Sequence, residues 1–232
     1  MTLSNESRKR ERTGTDMRLA ELSARSGVST ATIKFYLREG LLHPGRRVTA
    51  TQAEYDEGHL RRLRLVRALI QVGRIPVNSA REVIAALQDE HMDLHQRLGT
   101  ATWALPHGPE PDETDPATET ARRTADALME RLGWHCGGAC GRPPAAPAYG
   151  MLVTAIAALS RLGYPCDVEH LEPYARAAER IAVSDLDLVE RCGTPDERVE
   201  AAVALTVLYE PVLLSLRRLA EAEESRRRFD GE

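Results

Sequence analysis

Along the first third of the chain, apolar positions recur at helical spacing and are broken by glycine and proline. In "MRLAELSARSGVS", from Met17, residues Leu19, Ala20 and Leu22 share one helical face, and "STATIKFYLREG" repeats the pattern with Ile33, Tyr36 and Leu37. Between the two, Gly27 can adopt the left-handed conformation of a sharp turn, and Ser29 or Thr30 can cap the second helix. Two short helices joined in this way predict a helix-turn-helix. Beyond Gly40, "LLHPGRRVTATQAEY" predicts a turn and a short β-prone segment with Arg46, Arg47, Val48 and Thr49, read as a wing. In "AEYDEGHLRRLRLVRALIQVG", Leu60, Leu63, Val66, Leu69 and Ile70 form one apolar stripe, with Arg61, Arg62, Arg64 and Arg67 around it. "RIPVNSAREVIAALQ" predicts another helix behind Pro76, capped by Asn78 or Ser79.

The later chain shows no convincing strand alternation. "PHGPEPDETDP", residues 106–116, is acidic and proline-rich and reads as a linker, and four helical stretches follow it. Pro211 is expected to kink the last of these or split it near Glu210. Val203, Val207, Leu208, Leu213, Leu214 and Leu216 in that stretch suffice for a bundle core or a dimer interface. The predicted fold is mostly α, an N-terminal winged helix-turn-helix followed by a C-terminal helical bundle. Its expected divisions are a disordered basic tail (1–16), a DNA-binding domain (17–88), a connecting helix with an acidic linker (89–115), and a helical dimerisation or effector domain (116–232).

Charge sharpens this division. The net charge of −4 is unevenly spread: residues 17–88 hold 12 Lys/Arg against 6 Asp/Glu, a net of +6, whereas residues from Asp89 onward hold 15 against 26, or −11. A basic first third on an acidic remainder suits a polyanion-binding module attached to a region that DNA repels. Arg8, Lys9, Arg10 and Arg12 in the tail add nonspecific phosphate attraction, or belong to a dispensable extension before Met17. At 232 residues and 42% hydrophobic, the chain can bury a core in one larger or two smaller domains. No run approaches the roughly 18 apolar residues of a membrane span, and the N-terminus lacks a signal-peptide core, so a soluble cytoplasmic protein with reduced thiols is expected.

Residues 17–88 resemble the DNA-binding domain of MerR-type transcription regulators. "MRLAELSARSGVSTATIKFYLREGLL", "HPGRR", the long helix and "VGRIPVNSAREV" follow the family's order. The family's recognition helix runs Thr-Ile-Arg-Tyr-Tyr, and here Thr32, Ile33, Lys34, Phe35 and Tyr36 occupy those places. The resemblance implies that the helix enters the major groove, where Ser29, Thr30 and Thr32 approach phosphates or base edges while Lys34, Phe35 and Tyr36 grip the backbone. Phe35 lacks a phenolic hydrogen bond and Lys34 a bidentate fork, so contact there is expected to be weaker. Phe35 also admits a plain core reading, and Ile33 is read as core. In the wing, Thr51, Gln52 and Ala53 stand where the family usually has Gly-Tyr-Arg, although Tyr55 keeps the next aromatic position. Arg46, Arg47 and Thr49 therefore become the wing candidates, with Arg61 and Arg62 reaching phosphate from the long helix. The resemblance further implies a homodimer on a pseudo-palindromic promoter in double-stranded DNA, acting on RNA polymerase indirectly by bending and untwisting the duplex.

Two kinds of sensor are conceivable in the acidic part. A small organic effector would find Trp134, Tyr149, Met151, Tyr164 and Tyr174 within one 41-residue span, although each also suits a bundle core. Alternatively, Cys136 and Cys140, with His135 beside them, would sense a metal or oxidant. Two thiolates make an incomplete site, and Cys166, Cys192 or His170 would have to complete it from distant segments, so no metal or other cofactor is assigned. His91 and His95, at i and i+4, read as a solvated helix face. With no phosphate loop, nucleophile elbow or His-Glu-x-x-His helix, the chain is read as no enzyme. A DNA-architecture protein without an effector is the remaining alternative.

Overall fold

A computed structural model describes residues 16–49, 52–89, 91–134 and 147–230. The elements are α1 (Leu19–Ser26), α2 (Thr30–Arg38), β1 (Arg46–Arg47), β2 (Ala53–Glu54), α3 (Glu57–Arg67), α4 (Val77–Leu87), α5 (Leu94–Trp103), α6 (Pro116–Leu132), α7 (Pro147–Arg161), α8 (Val168–Glu190) and α9 (Pro195–Phe229). The mostly helical class is as expected, with an N-terminal helix-turn-helix and a helical remainder. The described residues divide into two compact units. One holds those up to Ile84 together with those from Thr206 onward, and the other holds those within Ala85–Leu205.

In the first unit, Leu22, Ile33, Leu41, Leu60, Leu63, Val66 and Leu69 are almost completely buried and bind α1, α2 and α3 into one core. Ala20, expected on the packed face, is exposed, and Met17, Ser26 and Val28 are buried instead. Gly27 takes φ 66°, letting its amide bond the Ser23 carbonyl as the chain turns between α1 and α2. Ser29 rather than Thr30 is the N-cap of α2, its hydroxyl accepting from the Thr32 amide at 3.1 Å. The β1–β2 ribbon is antiparallel, pairing Arg46 with Glu54 and Arg47 with Ala53. Met17 and Tyr55 exchange backbone hydrogen bonds of 2.7 and 2.9 Å, which fastens the entry of α1 to the exit of the wing.

Past Arg67, α3 widens into a π-helical turn, Ala68–Val72, ending at Gly73. A β-carbon on Gly73 would run into the Val207 side chain and stand 2.9 Å from the Leu69 carbonyl, so only glycine allows the later part of α9 this close. Helix α4 begins directly after Pro76, which places Asn78 and Ser79 inside its first turn instead of at its cap. The fixed φ of proline starts a helix without a side-chain cap.

In the second unit, α6 and α7 pack around Ala121, Ala125, Val153, Ile156 and Ala157, with Tyr149, Leu152, Cys166 and Leu171 against them. The small alanines allow close helix approach. Asp115 caps α6 ahead of Pro116, and Gly133, at φ 68°, ends it. Asp167 caps α8 through the His170 amide, while Arg131 of α6 pairs with Glu169 and Glu172 at 3.2 and 2.8 Å. The expected split at Pro211 does not occur, since α9 runs unbroken from Pro195 to Phe229. Proline removes a single amide from the ladder, and the flanking turns keep their bonds.

Candidate DNA interface

The outward stripe of α2 comprises Thr30, Lys34 and Arg38, three exposed residues at i, i+4 and i+8. The Ser29 hydroxyl is committed to the cap and stands 2.8 Å from the Thr32 hydroxyl, so these two serve local structure. Tyr36 is only 4% exposed, and burial pushes its phenol pKa up against the opposing influence of Arg67. Ile33 is core, as expected. Phe35 lies half-buried between these roles: its ring centroid is 5.9 Å from that of Tyr36, and the Arg38 guanidinium sits 5.6 Å above it. An aromatic shelf of this kind holds a cation at the surface without neutralising it. Arg38 was absent from the sequence-based set, though its i+4 spacing from Lys34 was the available signal.

Position is fixed from both ends of the helix. Arg81 of α4 donates from Nε to the Glu39 carbonyl and from Nη2 to the Glu39 carboxylate, both at 2.8 Å, which holds the C-terminal end of α2. Arg67 of α3 reaches the Ser26 carbonyl at 3.4 Å, bracing the turn before α2, and Arg25 of α1 pairs with Glu57 at 2.6 Å. Arg67, Arg81 and Arg25 are thus partly spent on internal bracing.

The wing residues differ among themselves. Arg46 is ion-paired to Glu54 and, at 3.0 Å, to Asp16. Arg47 is exposed, with no ion pair among the described residues, and as the next residue of a strand it points to the opposite face of the ribbon. Thr49 is exposed in the turn, where its amide bonds the Gln52 carbonyl at 3.2 Å. On α3, Arg61 is exposed but Arg62 is 9% exposed, packed among the core positions.

The aromatic residues considered for an effector are scattered in exposure. Tyr149 is half-buried and donates to the Asp126 carboxylate at 2.5 Å; burial, then that carboxylate, push its pKa up to about 12. Trp134 is half-buried, whereas Met151, Tyr164 and Tyr174 are exposed. A separate open groove of about 450 Å³ between α6 and the start of α8 is lined by Thr120, Arg123, Ala127, Arg131, Val168 and Glu169 among others, and by none of those five. Cys136 and Cys140 lie outside the described residues. His91 and His95 are exposed, as expected, but they share no helix face, since His91 lies in the turn ahead of α5 and only His95 is helical.

A helix-turn-helix with a two-stranded wing and a cationic outward stripe on its second helix defines the class: a winged helix-turn-helix DNA-binding protein. Residues 17–87 match the MerR HTH family regulatory proteins. A crystal structure of the "putative transcriptional regulator SCO5550" from Streptomyces coelicolor A3(2) shares 53% identity and aligns with a TM-score of 0.79, covering 93% of this chain and 99% of that one. No curated protein matches the chain. The chain belongs to the MerR family of DNA-binding transcription regulators.

Proposed function

We propose that the protein binds a pseudo-palindromic promoter operator as a homodimer and regulates transcription by distorting the DNA between its half-sites. Lys34 and Arg38 of α2, with Arg47 of the wing and Arg61 of α3, form the contact set, supported by Ser29, Thr30, Thr32, Phe35 and Thr49. Tyr36 and Arg62, being buried, shape the surface from beneath. Arg46 enters only by exchanging Glu54 for a phosphate.

The observation that carries the dimer is the end of α9. Tyr209, Val212, Leu216 and Leu219 are exposed, the last two at 58% and 66%, and they follow one another at intervals of three, four and three residues. That alternation is the seam of a two-stranded coiled coil, and a second copy of the same helix covers it. The segment lies in the same compact unit as the helix-turn-helix, so pairing couples two recognition helices directly to one two-fold axis. α9 is also long and apolar enough to cross a membrane by length and composition alone. A chain acting on a promoter works in the cytoplasm, with the stripe closed by its partner.

Bending and untwisting a duplex realigns promoter elements for RNA polymerase without a direct contact. A small organic ligand in the helical second unit acts by preferring one separation of the recognition helices, with leverage equal to its affinity difference between the two states. Sedimentation without detergent tests the reading: the wild type sediments as a dimer, and Leu216→Asp with Leu219→Asp gives a folded monomer with weakened binding to a two-half-site duplex. A wild-type monomer, or a variant that remains dimeric, rejects it.

A further inference from the structure

We propose that His43, Asp56 and His59 form a binding site for a divalent transition-metal ion at the root of the wing. One donor atom from each of the three lies within 4.8 Å of the other two. His43 stands in the segment that enters β1, while Asp56 and His59 follow β2 as the N-cap and third residue of α3. An ion shared among them ties the two ends of the wing together.

His59 and Asp56 already stand as a donor pair. The His59 side chain is 5% exposed, and its Nδ1 sits 2.7 Å from Asp56 Oδ1. Nδ1 also accepts from the Asp56 amide at 3.2 Å in the capping box, so its lone pair lies beside Oδ1. A nitrogen and an oxygen 2.7 Å apart fit neighbouring positions around one ion at bonds of about 2.0–2.2 Å, so Nδ1 and Oδ1 chelate it in place of their hydrogen bond. The exposed His43 ring lies on His59 with centroids 3.8 Å apart and planes at 40°, and Tyr55 meets His59 edge-on at 5.1 Å. Since the two imidazoles are stacked instead of edge-on, His43 turns about its side-chain torsions to present a nitrogen to the ion.

The donor set selects the metal class. Two imidazole nitrogens and one carboxylate suit zinc, cobalt, nickel or copper, whereas magnesium and calcium require oxygen cages. Arg62, buried one turn along α3, adds positive charge beside the cluster. The ion is therefore held by lone pairs more than by net charge, which disfavours the hard cations further. A filled site fixes the wing against α3, so zinc strengthens DNA binding through geometry.

The test uses the full chain carrying Cys136→Ser and Cys140→Ser, so that thiols do not compete, with zinc and cobalt(II) as the probes. Equilibrium dialysis is expected to retain one zinc per chain, and the cobalt(II) spectrum to lack thiolate charge-transfer absorption. His43→Gln, at an exposed position, is expected to leave the metal-free unfolding midpoint unchanged and to weaken zinc affinity at least about tenfold. His59→Gln is read alongside it, because loss of that buried ring also loosens the α3 capping. Failure to retain zinc, retention unaffected by His43→Gln, or a cobalt spectrum dominated by thiolate absorption overturns the site.

Discussion

Arg46 and Glu54 face each other across the wing ribbon, and the guanidinium is ion-paired to that carboxylate. The carboxylate competes with DNA phosphate for the same cation. Glu54→Gln is therefore expected to tighten binding to all duplexes and to steepen the dependence of log K on log salt by about 0.9, the value of one added phosphate contact. Anisotropy titrations over a salt series read both quantities, and an unchanged slope would place Arg46 away from the backbone.

The exposed stripe of α2 predicts the opposite change. Lys34→Ala and Arg38→Ala should each reduce the salt slope by about 0.9, and Arg61→Ala should do the same from α3. Arg62→Ala should lower stability instead, since its stem is packed in the core, with little change in slope. Measuring unfolding and salt dependence on the same four variants separates the two outcomes; equal slopes for Arg61→Ala and Arg62→Ala would refute the division.

Much of this arrangement is legible in the chain. The spacing of Leu22, Ile33, Leu60, Leu63 and Val66 marks core faces because helical period and burial coincide there, and Gly27 announces its turn because few other residues accept a positive φ. Arg62 was misplaced among the exposed arginines because charge reads as exposure, although it falls one turn before Val66 on the buried side of α3. The Arg46–Glu54 pair depends on ribbon register, which two-residue strands specify weakly in sequence. The apolar end of α9 reads as bundle core or dimer interface from composition, and only the folded chain shows Leu216 and Leu219 uncovered. His59 gives no sequence signal of burial, because its environment is built by Tyr55 and His43 from the wing.

Gly73 provides a test of how α9 is seated. Gly73→Ala drives a methyl group into Val207 and against the Leu69 carbonyl, neither of which is a flexible side-chain end. A loss of about 1–3 kcal/mol of stability is expected, together with faster amide exchange in the residues after Thr206. Wild-type stability and exchange in Gly73→Ala would show that α9 does not rest there.

Tyr149 predicts an alkaline limit for the second unit. Its folded pKa of about 12 lies above the usual value near 10, raised by burial and by the Asp126 carboxylate. The contribution is fully present below pH 10, where the phenol is neutral in both states, and is lost as pH rises from about 10 through 12. Urea unfolding followed at pH 9 and pH 11 should show less alkaline loss in Tyr149→Phe than in the wild type. Equal losses would remove Tyr149 from the account.

The most direct measurement is selection of duplexes from a randomised pool by the full-length protein, with the chain-to-duplex ratio determined on the winners. Two recognition helices joined on a two-fold axis through α9 predict an inverted repeat bound by two chains, lost on Leu216→Asp with Leu219→Asp. Enrichment of a single unrepeated half-site bound by one chain, or no enrichment at all, would contradict it.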